Sequence, residues 1–222
     1  MATNKRLDLS DTMGAIGELV KHYAGEVVKG KEAIKNINME LYNADITDKI
    51  AYQKTTALNQ EIDKLIGTAK DDINTIKNQH MDAERAFQTL NGNDITSDAN
   101  LLKGDFKFAK DDLIKLADKY KDNYTMSTLI YNYAAEHNIL LQHIQSVESV
   151  EATLDKFIEL LTPRIASAYD DKINSMGTGV DNYLDLYLEN AKQRAINSTI
   201  FIDGNQINNQ LSFYGNYQGY AQ

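Results

Sequence analysis

Residues 13–41 read MGAIGELVKHYAGEVVKGKEAIKNINMEL, and their apolar positions fall at Met13, Ile16, Val20, Tyr23, Val27, Ile34, Ile37 and Leu41. With Gly30 filling the one gap, the steps alternate three and four residues, which is the heptad seam of one long amphipathic α-helix. Such a helix leaves its stripe in water unless other helices cover it. The next stretch supplies a partner, with a seam at Leu58, Ile62, Leu65, Ala69, Ile73, Ile76, His80, Ala83, Phe87 and Leu90. Two consecutive four-residue steps from Leu65 to Ile73 make a stutter, which relaxes a left-handed supercoil. Asn43-Ala-Asp-Ile-Thr47 interrupts the pattern, Ser10 or Asp11 can cap the first helix, and Thr47 or Asp48 the second. Residues 1–10 therefore read as a flexible N-terminus and residues 11–90 as a long antiparallel hairpin.

Residues 95–202 read as a second helical segment packing on or beside the hairpin. Asn91-Gly-Asn-Asp94 is a turn, and a third helix follows with Leu102, Phe106, Ala109, Leu113, Leu116 and Tyr120 in phase. Its other side mixes Lys103, Lys107, Lys110, Asp111, Asp112, Lys115, Asp118 and Lys119, the pattern of a solvated face with i,i+4 pairs and not of a binding patch. A fourth helix starts near Asn123 and carries Met126, Ile130, Tyr133, His137, Leu140, Ile144, Val147, Leu154, Ile158 and Leu161. Pro163 predicts a kink or a tight restart there, and Met176-Gly-Thr-Gly-Val180 a break before a last helix through Leu184, Tyr187, Ala191 and Ala195. The expectation is an all-α protein: a long antiparallel hairpin and coiled-coil-like bundle of five to six helices.

Beyond the last helix the grammar changes. Thr199-Ile-Phe-Ile202 is β-branched and aromatic and ends in the turn pair Asp203-Gly204, which predicts a short extended or β-hairpin arm. From Gly204 to Gln222 there is no charge, and eight of the 19 residues are Asn or Gln. Phe213, Tyr214, Tyr217 and Tyr220 make residues 203–222 a candidate partner-contact tail.

Composition restricts the function classes. Over 222 residues, 32 acidic against 23 basic side chains give a net charge of −9, which opposes strong binding to nucleic acid or an anionic membrane. No cysteine means no disulfide, thiolate metal site or cysteine nucleophile. The first residues lack the apolar core of a secretory signal, and no apolar run has transmembrane length. These features fit a protein of the cytoplasm or of a virion rather than one secreted through a classical signal peptide.

Motifs for chemistry are missing. Gly25-Glu-Val-Val-Lys-Gly30-Lys31 matches the core of a phosphate-binding loop, but Glu32 stands where Ser or Thr should bind magnesium, and Val27 belongs to the helical seam. No histidine is preceded at three residues by glutamate, so the di-iron bundle signature is absent. His80 and His137 fall on apolar seams, the place of partly buried structural histidines. The expectation is no catalytic, cofactor-binding or metal-binding residue. Asp181, Asp185 and Glu189 form an acidic stripe at i, i+4 and i+8, a candidate contact for a basic protein.

The hairpin of residues 13–90 and the tail Ser212-Phe-Tyr-Gly-Asn-Tyr-Gln-Gly-Tyr220 resemble helical structural proteins of bacteriophage particles, such as connector, scaffold or internal virion proteins. That resemblance implies a multi-copy, cyclic or capsid-associated assembly and transfers no functional residue. The expected role is a non-enzymatic structural or assembly protein, a homo-oligomer or part of a larger assembly held by helix–helix and tail-mediated protein contacts. The alternative is an acidic helical inhibitor or adaptor that docks a basic partner.

Overall fold

The computed structural model describes residues 6–104, 106–141, 144–174 and 180–199, and within them the protein is all-helical, with no β-strand. The elements are α1 (Leu9–Tyr42), α2 (Asp48–Phe87), a 3-10 turn (Gly92–Asp94), α3 (Ala99–Lys103), α4 (Lys110–Lys119), α5 (Tyr124–Glu136), α6 (Val147–Asn174) and α7 (Val180–Thr199). Residues 200–222, and with them the predicted extended arm, lie outside the described residues. The chain forms two compact units, one from residues 6–8 with Gln79–Ala152 and one from Leu9–Asn78 with Thr153–Asn197.

In the second unit α1 is the common neighbour. Its seam residues Met13, Ile16, Val20, Tyr23, Val27 and Ile37 are buried, each worth about 1.5–3 kcal/mol of apolar transfer when fully covered. Against α2, the Glu40 carboxylate meets Lys54 Nζ at 3.6 Å, Gly30 meets Ile62, and the Tyr23 hydroxyl donates to Asp72 at 2.5 Å. Each step forward along α1 meets a step back along α2, so the two run antiparallel. α6 runs with α1: Lys172 pairs with Glu32 at 2.5 Å, and Ala168 packs in one buried cluster with Ala24 and Val28. α7 runs against α1, since Leu184 joins that same cluster, Asp185 pairs with Lys21, and Leu188 lies against Gly17. Ala24 and Ala168 are short enough to let the backbones approach, which is where α1, α6 and α7 share one buried cluster.

Three departures from the predicted helices have local causes. The third predicted helix is two, α3 and α4. Gly104 leaves α3 with an extended backbone, and the carbonyl of Phe106 accepts a 2.6 Å hydrogen bond from the Tyr133 hydroxyl. Phe106, Phe108 and Tyr133 stack edge to face, at 4.9 and 5.5 Å between ring centres. That aromatic contact is worth more than continuing a helix through the glycine.

The fourth predicted helix is also two, α5 and α6. Asn138 takes the left-handed conformation at φ 57°, Ile139 N–H donates to the Ala134 carbonyl at 2.8 Å, and Asn138 N–H to Ala135 at 3.1 Å. This is the Schellman ending, with Ile139 packed on the cluster that contains Ala134. His137 caps α5, exposed, instead of sitting on a buried seam. Conversely α6 runs through Pro163 as one helix, so of the two expected alternatives the restart is not found. These changes make seven α-helices among the described residues where five to six are expected.

Candidate functional site

The first unit buries charge. His80 and Glu84, one turn apart on α2, are each 1% exposed. Glu84 is held from three sides of its carboxylate: Arg6 Nε donates to both oxygens at 3.0 and 3.1 Å, Arg6 Nη2 lies 2.8 Å from Oε1, and Gln88 Nε2 donates to Oε1 at 2.8 Å. Gln88 also donates to the Gln145 carbonyl at 2.7 Å, which ties the connection before α6 to α2. The guanidinium carbon of Arg6 lies 5.9 Å from the centre of the Phe87 ring. A fork-shaped donor on a buried carboxylate is the arrangement that compensates desolvation best. Burial pushes the His80 imidazole below its ordinary pKa and the Arg6 charge adds to that, while Glu84 and Asp8 oppose it.

Beside this network lies a cleft of about 590 Å³, within the usual range of small-molecule sites. Arg6, Lys110 and Lys121 bring cations to it and Asp118 an anion, while Ile114, Ile130, Leu140, Leu141 and Ile144 give it an apolar lining. The α4 members Lys110, Ile114, Ala117, Asp118 and the following Lys121 recur at i, i+4, i+7, i+8 and i+11, so the cleft follows one stripe of α4. The sequence reading missed Arg6 and Glu84. The only available signal was a glutamate inside the α2 pattern one turn after a seam histidine.

In the second unit, the end of the hairpin opens to solvent. Ile37 and Ala51 are its buried apolar residues, whereas Met39, Tyr42, Ile50 and Tyr52 are exposed, Tyr42 at 91% and Tyr52 at 73%. Residues 33–60 carry three acidic and three basic side chains and are neutral within a chain of −9.

The residues singled out from the sequence are dispersed. Asp185 of the acidic stripe is engaged by Lys21, whose ammonium is held charged above its ordinary range by Asp185 and Glu18. Glu189 accepts from Gln193 at 3.3 Å, and the side chain of Asp181 lies outside what the structure describes. Tyr187, between them in sequence, turns to α6: the Arg164 guanidinium sits 4.2 Å over its ring, and its hydroxyl donates to the Leu160 carbonyl at 3.3 Å. Phe213, Tyr214, Tyr217 and Tyr220 lie outside the described residues. Gly25 to Lys31 is continuous helix within α1, so its amides are spent on helical hydrogen bonds and cannot cradle a phosphate.

Among the described residues no group of three His, Asp or Glu is placed to hold a metal ion, and no helix is long and apolar enough to cross a membrane. No known family model, curated protein or solved structure matches the chain.

Proposed function

We propose that the protein is a non-enzymatic structural or assembly protein that works in many copies through helix–helix contacts, with the tail of residues 203–222, uncharged beyond Asp203, as a second joint. The observation that carries this reading is the end of the α1–α2 hairpin, where Met39, Tyr42, Ile50 and Tyr52 stand in solvent on a neutral, mixed-sign surface. Exposed aromatic and aliphatic side chains gathered at one end favour a protein partner. Neutrality within a chain of −9 lets two copies meet there without the repulsion the rest of the surface carries. The coiled-coil-like character of the hairpin suits an isologous contact between copies, and the resemblance to bacteriophage virion proteins suits a connector, scaffold or internal role, in the cytoplasm or in a particle. The docking alternative draws less support, because Lys21 already occupies Asp185, the central carboxylate of its stripe.

Light scattering behind size exclusion on the full chain, on the Tyr42→Lys/Tyr52→Lys variant and on the chain ending at Asp203 tests the reading. A multi-subunit species that the substitutions or the truncation break up is expected. A monomer in all three, at concentrations up to the millimolar range, overturns it.

A further inference from the structure

The cleft along α4 is a polar-headed apolar groove with an unusual charge for this chain. Of its charged lining residues, Arg6, Lys110 and Lys121 are cationic and Asp118 is anionic, in a protein of net charge −9. The side-chain ammonium groups of Lys110 and Lys121 form no ion pair or hydrogen bond with any described residue. Arg6 differs from them because Glu84 orients it: the Nε and Nη2 sides of the guanidinium face the carboxylate, which leaves the Nη1 side outside that pair. A cation fixed by a buried partner presents its remaining N–H groups without a further entropy cost. Between the charges the lining is mostly aliphatic, with Ser127, Tyr131 and Gln145 as its uncharged polar members; Ile130 and Leu141 are buried, and Ile114 and Leu140 exposed. Lys110 and Lys121 stand eleven residues apart along α4 and its end, a span of about 16 Å at helical rise, so the groove is long rather than round.

We infer that this groove binds a single-chain organic anion: an aliphatic carboxylate of medium length, its tail on Ile114, Ile130 and Leu141 and its head on the cations. An inorganic anion would leave the apolar lining wet, and a neutral alkane would leave the lysines unused. The lining residues belong to one compact unit and the hairpin end of residues 33–60 to the other, so the groove shares no residue with the hairpin contact.

Calorimetric titration of the full chain with decanoate below its micelle concentration, alongside decan-1-ol and acetate, tests the inference. Saturable decanoate binding is expected, at least tenfold tighter than decanol, with none for acetate. Lys110→Gln/Lys121→Gln should weaken it at least tenfold without changing the thermal midpoint, since both lysines are exposed. Ile114→Asp, also at an exposed position, should abolish it by charging the groove wall. Decanol binding equal to decanoate, decanoate binding unchanged in either variant, or no saturable binding of decanoate overturns the inference.

Discussion

At its first turns α2 holds Ile50 and Tyr52 in solvent; at its last turns it buries His80 and Glu84. One helix thus departs from the rule of apolar inside and charged outside at both ends, in opposite senses. Between them, Ile62, Ala69 and Ile73 follow the rule against α1. What differs is the number of neighbours. The first turns of α2 have α1 across the hairpin and expose whatever α1 does not cover. The last turns meet Arg6 and Gln145 as well, and a carboxylate can be buried there because donors arrive with it.

The sharpest way to break this contrast is to remove the donor. Arg6→Ala leaves Glu84 buried with Gln88 as its remaining described donor, and a buried charge stripped of its partner costs about 3 kcal/mol or more. Urea unfolding should show that loss. Glu84→Gln, which keeps a hydrogen-bonding group in the site and frees Arg6 to reach water, should cost only about 1–2 kcal/mol. Equal costs for the two would mean that the pair acts through packing and not through charge. Polar substitution at Tyr52, by contrast, should change stability by less than about 0.5 kcal/mol.

The middle of the helix gives a smaller effect with a sign worth testing. A Cβ on Gly30 would sit 2.9 Å from Ile62 Cγ1 and 3.0 Å from Cδ1, and Ile62 is buried. Helix propensity alone favours alanine by about 1 kcal/mol, while overpacking costs about 1–3 kcal/mol. Gly30→Ala is therefore expected to destabilise by about 1 kcal/mol. Gly67→Ala, on exposed α2 with nothing within 4 Å of its Cβ, should stabilise by up to about 1 kcal/mol. Two shifts of the same sign would show that the close approach at Ile62 relaxes at no cost.

The same contrast explains what was legible in the sequence. Periodicity located α1 and α2 to within a few residues because two long helices with continuous seams have few alternatives. It ran past their limits: Leu90 is in phase but lies beyond α2 and is exposed, and His137 is in phase but caps α5. The breaks at Gly104 and Asn138 were written in single residues that tolerate a conformation the pattern ignores. The seam also cannot tell how many helices cover it. Gly17, Ala24 and Val28 lie off the seam of α1, and they are buried where Leu188, Ala168 and Leu184 approach. The Arg6–Glu84 pair was out of reach altogether, since nothing local links residues 78 apart.

His80 supplies the mildest test, one that distinguishes the buried end of α2 by pH. The groups that act on it are Glu84 on its own helix and Arg6 and Asp8 from the segment before α1, and burial outweighs them to hold its pKa below the ordinary value. With a folded pKa lower than the unfolded one, the unfolded chain binds the proton more readily. The stability this contributes is complete above about pH 6.5 and is lost as pH falls below that toward the folded value. One proton limits the slope to about 1.4 kcal/mol per pH unit, approached only inside that window. Asp98, held below the usual carboxylate range by Lys119 and then by Tyr120, loses its contribution at lower pH, below about 4, so the two windows separate. Unfolding free energies between pH 7.5 and 5 should therefore fall in the wild-type chain and fall less in His80→Gln, whatever that substitution costs at neutral pH. Parallel curves would mean that His80 keeps its ordinary pKa, and that the buried end of α2 shelters its charges without distinguishing protonated from neutral imidazole.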